Sequence, residues 1–294
     1  MSNSVDSPDD SESNFYFVSA IVYAAVIIVG LPLNGVSLWV LLRRHGLKSP
    51  SSVLMTNLAL SDLLLVLSLP LRVYYYATKS WPFSAQLCVS ALILFRNNIR
   101  TSSVFITFIS MDRLLAVVFP LRSRSLRTTT CAWRACVFVW ILIIALSTPE
   151  SLAIARTLKD NGTTNCLEIR VPALMIVGYI QSITVFVLFG LNVISTVMVT
   201  RVLIKKSDVA TKANNRLNVV VIFVINLLVF AVFFLPFSVA IMLTTLTSED
   251  SFRRVRATIC LASINCCLDP LIYYFSLDAF WRDKDKLSGD TVNS

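Results

Sequence analysis

Two aspartates, Asp62 and Asp269, stand inside long apolar stretches of a 294-residue chain. A charged group in hydrocarbon is costly, so such residues mark sites for ions, protons or ligands. Asn34, Asn57, Ser61, Ser102 and Asn265 lie in stretches of the same kind and could join them in one polar cluster. Carboxylate and hydroxyl oxygens suit a hard cation, so Asp62, Ser102 and Asp269 together could hold a sodium ion. The alternative is a hydrogen-bonded network that glues helices without an ion, and the two can coexist.

A second group of residues is cationic. Arg96 and Arg100 are four residues apart and share one face of a helix. Two cations side by side repel unless an anion or a carboxylate sits with them. Arg72 with Tyr75 and Tyr76 forms a similar face, and Arg253, Arg254 and Arg256 precede the last apolar stretch. The fork of donors on arginine suits phosphate and carboxylate. Arg72, Tyr75, Tyr76, Arg96, Arg100 and Arg256 are therefore candidates for holding an anionic ligand. The alternative is that Arg96 and Arg100 pair with Glu168 or Glu150 and touch no ligand.

Seven apolar stretches must position these groups. A bilayer-spanning helix needs about 20 mostly apolar residues. Candidates are Phe15 to Leu42, Ser49 to Leu71, Phe83 to Phe119, Ala135 to Pro149, Val171 to Thr200, Leu217 to Ser248 and Ala257 to Leu277. The fourth is short, but Cys131 to Trp133 can extend it. An odd number of spans puts the two termini on opposite sides. With the amino terminus outside, inner segments hold 15 Lys and Arg and outer segments hold 7, which favours that orientation. The hydrophobic fraction of 56% already exceeds what a soluble domain of this length carries. The net charge of +9 is concentrated in short segments between apolar stretches, and no nucleic-acid motif accompanies it.

The amino-terminal residues are polar and acidic, without the basic start of a cleavable signal, so the first span is expected to act as its own insertion signal. The expected organisation is an extracellular segment at 1–14, a membrane domain at 15–277 and a cytoplasmic tail at 278–294. Within the tail, Asp278 to Lys286 could form a short amphipathic helix along the inner surface. The expected fold class is an all-α membrane protein, a seven-transmembrane helix bundle followed by that short helix. Asn161 heads the sole N-glycosylation sequon and falls in the expected second outer loop.

Depth along the third span orders its residues. From Cys88 to Asp112 is about 36 Å of helix, so an outer Cys88 places Asp112-Arg113 at the inner face. Arg96 lies about 12 Å and Arg100 about 18 Å below Cys88. An acid beside an arginine at the inner face can form a local ion pair that a partner or a conformational change opens. Cys88 and Cys166 both fall in or beside outer segments, in an oxidising environment, so a disulfide between them is expected.

The order of motifs now resembles one family. Asn34 within Gly-Leu-Pro-Leu-Asn, Asn57-Leu-Ala-Leu-Ser-Asp62, Asp112-Arg113-Leu114, Trp140, Phe233-Phe234-Leu235-Pro236-Phe237 and Asp269-Pro270-Leu-Ile-Tyr273 occur in sequence along the chain. They resemble the signatures of rhodopsin-like G-protein-coupled receptors across all seven spans. Leu114 replaces a tyrosine, the sixth-helix motif carries Phe where many members have Trp, and Asp269 stands in the Asp variant of the seventh-helix motif. Ser68-Leu-Pro-Leu-Arg72-Val-Tyr-Tyr75-Tyr76, Trp81-Pro-Phe83 and Asn265-Cys-Cys-Leu-Asp269-Pro270 resemble the lysophosphatidic acid receptors of the branch related to nucleotide receptors.

The resemblance implies a plasma-membrane receptor with an anionic ligand, in the first place a lysophospholipid such as lysophosphatidic acid. A nucleotide, a small carboxylic acid or a protease-generated peptide is the alternative. It implies a heterotrimeric G protein as inner partner. Asp112, Arg113, Phe234, Pro236, Asp269, Pro270 and Tyr273 would carry activation and coupling. No cofactor is expected beyond a structural sodium ion, and no nucleic acid partner. The chain departs from the family at Leu188, which replaces the fifth-helix proline, and at Arg96 and Arg100, where the relatives usually carry aromatic residues. It also lacks the cysteines for a second outer disulfide.

Other membrane classes find less support. Asp269 lacks the Gly-x-Gly-Asp setting of an intramembrane aspartyl protease, and the single histidine, His45, leaves no His-Glu-x-x-His metal site. No pair of broken helices in two halves points to a transporter. No enzymatic activity is expected.

Overall fold

The computed structural model describes residues 8–121, 123–161, 166–168, 171–205, 213–244 and 249–271. These form long helices joined by short connections. The first is α1 (Pro8–Val40), which runs into a π turn at Leu41–His45. Then come α2 (Pro50–Thr78), α3 (Ala85–Val118), α4 (Thr129–Asn161) and α5 (Pro172–Lys205). The sixth span is built from α6 (Ala213–Val229), a π turn at Phe230–Phe234 and α7 (Leu235–Met242). The seventh begins with α8 (Glu249–Ser263), passes a turn at Ile264 and continues helically over 265–271. Six of these helices are long and apolar enough to cross a membrane.

The distribution of side chains is inside-out relative to a soluble bundle. Ile28, Phe17, Leu67, Phe138 and Ile176 point away from the bundle, and Ile28 is 73% exposed. Asn34, Asp62, Asn98, Ser102, Asn265 and Asp269 are buried within it. Lipid receives the apolar faces, and the polar groups satisfy one another inside.

Local sequence sets the helix ends. Pro50 opens α2 where its missing N–H is harmless, and the Ser49 side chain accepts a hydrogen bond from the Ser52 amide. Ser84 caps α3 in the same way, accepting from the Leu87 amide. Lys79 closes α2 in the left-handed conformation, its amide donating to the Tyr75 carbonyl. Gly46, at φ +62°, turns the chain between the first two spans.

Cross-links between helices fix the bundle. Asn34 donates to the Cys266 carbonyl at 2.7 Å, and Gly30 lets the Cys266 sulfur approach the first helix. Trp140 donates to Asn57 Oδ1 at 2.9 Å, joining α4 to α2. The third helix packs against the second, fourth and fifth, so its side chains reach most of the interior.

Several expected boundaries move. Helix α1 starts at Pro8, ahead of Phe15, and α2 runs past Leu71 to Thr78. The fourth span does not end at Pro149. It continues to Asn161, so Arg156 and Lys159 are helical rather than in a loop. Proline inside a membrane helix bends it without ending it, because neighbouring groups satisfy the freed carbonyl. The seventh span starts at Glu249 rather than Ala257, which puts Arg254 and Arg256 on helix. The sixth ends at Met242 within the described residues. The tail at 278–294, including the expected short helix, lies outside the described residues.

Candidate functional site

A cavity of about 560 Å³ opens among the helices at the end of the bundle that carries Cys88. That volume falls within the common range for small-molecule sites, about 300–1,000 Å³. The Cys88–Cys166 disulfide forms, with Cα atoms 5.8 Å apart, and anchors the short turn Cys166–Glu168 beside the cavity. Apolar side chains dominate the lining, among them Leu92, Phe95, Ile154, Met175, Phe237 and Ile259. Arg72, Arg96 and Arg256 interrupt it with positive charge, and Glu12 and Glu168 with negative charge.

The three arginines differ in what they hold. Arg256 pairs closely with Glu168 and lies 3.5 Å from Glu12. Tyr16 also donates its hydroxyl to Glu168, so the first helix, the disulfide-bound turn and α8 are clasped together. Arg96 lies 3.4 Å from Glu150 of α4. Arg72 is only 4% exposed, yet no carboxylate pairs with it among the described residues. Its guanidinium lies 4.2 Å from the Phe95 ring centroid and 5.9 Å from that of Tyr23. It makes a long bond, 3.5 Å, to the Ala91 carbonyl, and among the described residues its Nε has no acceptor. Desolvated cation–π contact offers about 2 kcal/mol, well short of the several kcal/mol that burying a charge costs.

Not every sequence candidate reaches this cavity. Tyr76 lines it, whereas Tyr75 turns to Tyr16 and Trp81. Arg100 lies off the lining. Its guanidinium grips both Glu150 oxygens, at 2.5 and 2.9 Å, and also bonds Gln181 and Asn97 at 3.2 Å. This is the carboxylate partnership anticipated as the alternative for Arg96 and Arg100.

Deeper in the bundle, Asp62 and Asp269 are buried neighbours. Asp62 Oδ1 accepts from Asn98 at 2.9 Å and from Ser102 at 3.3 Å, and Asp269 Oδ2 accepts from Asn265 at 2.9 Å. One oxygen of each, Asp62 Oδ2 and Asp269 Oδ1, has no donor among the described residues. Two buried carboxylates with orphaned oxygens need a proton or a cation between them. The oxygen-rich donor set fits a hard monovalent cation.

At the far end of α3, Asp112 accepts from Arg127 Nε at 2.9 Å and from Ser51 at 2.6 Å. The expected Asp112–Arg113 pair is therefore replaced by one to Arg127 of the connection before α4. Successive helical residues point about 100° apart and do not face each other. Arg113 Nε has no acceptor among the described residues.

In the sixth span, Pro236 sits just after the π turn. The Leu235 amide reaches back five residues to the Phe230 carbonyl. A proline cannot donate and its ring clashes with the preceding turn, so the backbone widens there, the geometry at which a helix can hinge. Phe234 is buried at this hinge with Phe230, ring centroids 5.2 Å apart. Pro270 is buried beside Asp269, while Tyr273 lies outside the described residues. Asn161 closes α4, and the rest of its sequon lies outside them as well.

Sequence reasoning missed Asn98, Phe95, Tyr23 and Gln181 as members of these clusters. Asn98, four residues before Ser102, and Phe95, three before Asn98, carried a signal in their helical spacing; Tyr23 and Gln181 carried none, since each meets its partner from another helix.

The rhodopsin-family model of seven-transmembrane receptors matches residues 33–273. Human lysophosphatidic acid receptor 4 is 35% identical over 284 residues, covering 91% of this chain and 76% of that one. Mouse lysophosphatidic acid receptor 6 is 32% identical over 294 residues, covering 94% and 85%. Bovine lysophosphatidic acid receptor 5 is 35% identical over 286 residues, covering 88% and 76%.

Proposed function

Because the chain belongs to the rhodopsin family of seven-transmembrane receptors, we propose that its Arg72 cavity takes an anionic lipid and passes the binding on to a heterotrimeric G protein. The ligand is a lysophospholipid such as lysophosphatidic acid. The observation that carries this reading is Arg72 itself, a buried cation on the wall of an apolar cavity with no carboxylate partner among the described residues. An anionic headgroup supplies the missing charge, and the apolar lining suits an acyl chain better than a nucleotide. Arg256 flanks the headgroup, Arg96 stands on the same wall paired with Glu150, and Arg100 supports the wall. The names of the lysophosphatidic acid receptors, at 30% identity and above, point to the same chemistry.

The receptor sits in the plasma membrane, amino terminus and disulfide outside and carboxyl terminus inside. The disulfide and the excess of Lys and Arg at the opposite end support that orientation. Ligand that binds the active arrangement more tightly shifts the population toward it. The sixth span then bends at Phe234 and Pro236, and its inner half leaves α3 and uncovers Arg113. A sodium ion held by Asp62, Ser102 and Asp269, with Asn98 and Asn265 around it, stabilises the resting arrangement.

Cells expressing the chain, screened for G-protein activation against lysophospholipids, nucleotides and small carboxylic acids, test the ligand class. Lysophosphatidic acid is expected to activate, and Arg72→Ala, with surface expression intact, is expected to abolish the response. An unchanged response in that variant overturns the headgroup assignment.

A further inference from the structure

The fourth helix carries one buried acid, Glu150, whose side chain is 1% exposed. It faces two arginines of α3. Arg100 takes both of its oxygens, and Arg96 reaches one at 3.4 Å. Glu150 is not on the cavity wall, but Arg96 is, and its side chain is 22% exposed. Arg96 is thus held from behind, leaning out of the cavity toward a carboxylate it shares with a stronger competitor. Its Nε has no acceptor among the described residues. Ser147 and Gln181 complete the setting, the first through Asn97 and the second through Arg100.

The charges near the cavity almost cancel. Glu12 and Glu168 offset Arg256, and Glu150, with a single charge, offsets half of the pair Arg96 and Arg100, held chiefly by Arg100. Arg72 is left as the cation a headgroup meets without displacing a carboxylate. Releasing Arg96 would add a second, about one helical turn along α3 from Leu92 and next in sequence to Phe95, on which Arg72 stacks.

From this geometry we infer that Glu150 is a specificity-determining positioning residue: it withholds Arg96 from the headgroup and so limits how much negative charge the cavity favours. The inference rests on the proposed anionic-lipid function and deepens it. Coulombic attraction to an added cation scales with ligand charge, so freeing Arg96 favours a phosphomonoester over a singly charged phosphodiester.

Two oleoyl probes with the same acyl chain separate these charges: oleoyl lysophosphatidic acid, a phosphomonoester, and oleoyl cyclic phosphatidic acid, a cyclic phosphodiester. Their potencies are compared in the full-length receptor in cells, for the native chain, for Glu150→Gln, and for the double variant Arg100→Leu with Glu150→Leu. The double variant removes the buried ion pair as a unit, which proteins commonly tolerate, and leaves Arg96 without its acid. In both variants the potency ratio is expected to move toward the phosphomonoester by roughly tenfold, the worth of one charge-assisted contact. A variant that merely loosens the fold shifts both potencies together and leaves the ratio alone. An unchanged ratio in the double variant at the cell surface overturns the role of Glu150, even where Arg72→Ala still abolishes both responses. If the native receptor answers neither probe, or Arg72→Ala answers both, the ligand reading fails, and this inference with it.

Discussion

Asn226 of the sixth span donates a hydrogen bond to Ser110 Oγ of the third at 2.9 Å. Both side chains are buried, and Asn226 lies ten residues before Pro236, on the α6 side of the hinge. Any swing of that half of the helix away from α3 must break this bond. Replacing Asn226 with leucine removes the donor and leaves the Ser110 hydroxyl buried without it. The resting arrangement should lose about 1 kcal/mol, which raises ligand-independent signalling roughly fivefold. Basal G-protein activation at matched surface expression measures this. A variant no more active than the native chain would show that the bond does not hold the resting state.

The pair of carboxylates makes a second expectation. Asp62 and Asp269 each have an oxygen with no donor among the described residues, and a sodium ion between them would satisfy both. Asp269→Asn turns one of them into an amide that can donate to the other, which removes the demand for a cation. Ligand affinity is measured in sodium chloride and in choline chloride. For the native receptor it should differ between the two salts by about fivefold or more, and for the variant it should not. Persistence of the salt effect in the variant would rule out the pair as its source.

The disulfide offers a third. It joins residues 78 apart in sequence, and it positions Glu168 against Arg256 and Tyr16. The double variant Cys88→Ser with Cys166→Ser should lose about 2–4 kcal/mol of stability. It should also respond weakly to ligand, because the clasp over the cavity mouth is no longer held. Thermal unfolding in detergent and dose–response curves in cells check the two effects. Thiol reduction of the native protein should reproduce both, and equal curves for native and reduced protein would contradict the role given to the turn.

Much of the architecture was legible because hydrocarbon imposes a simple rule on the sequence. Each span shows as an apolar run, and each polar residue inside one stands out against it. Asp62, Asn98's neighbour Ser102, and Asp269 converge as their depths required. Arg72 reached a cavity wall because the second helix runs on to Thr78. What remained hidden is rotational. Tyr75 and Tyr76 are adjacent in sequence, but only Tyr76 faces the cavity. Asp112 turns to Arg127 and away from Arg113 for the same reason. The pairing of Glu150 with Arg96 and Arg100 was open to the sequence as an alternative, but the run of α4 through Pro149 was not, because a proline after an apolar run reads as a stop when the neighbours that compensate for it are not visible.

The widened turn at Phe230–Phe234 inserts one residue more than a regular helix would use over the same rise. Everything after it is therefore rotated in phase relative to everything before it. Deleting a single residue from that turn would restore an unbroken α-helix and would look, locally, like a repair. It would also rotate Phe237 and Ile241 by about 100° off the cavity they line, while Asn226 kept its place against Ser110. The irregular turn thus keeps two faces of one helix in register, one for the ligand and one for the third span.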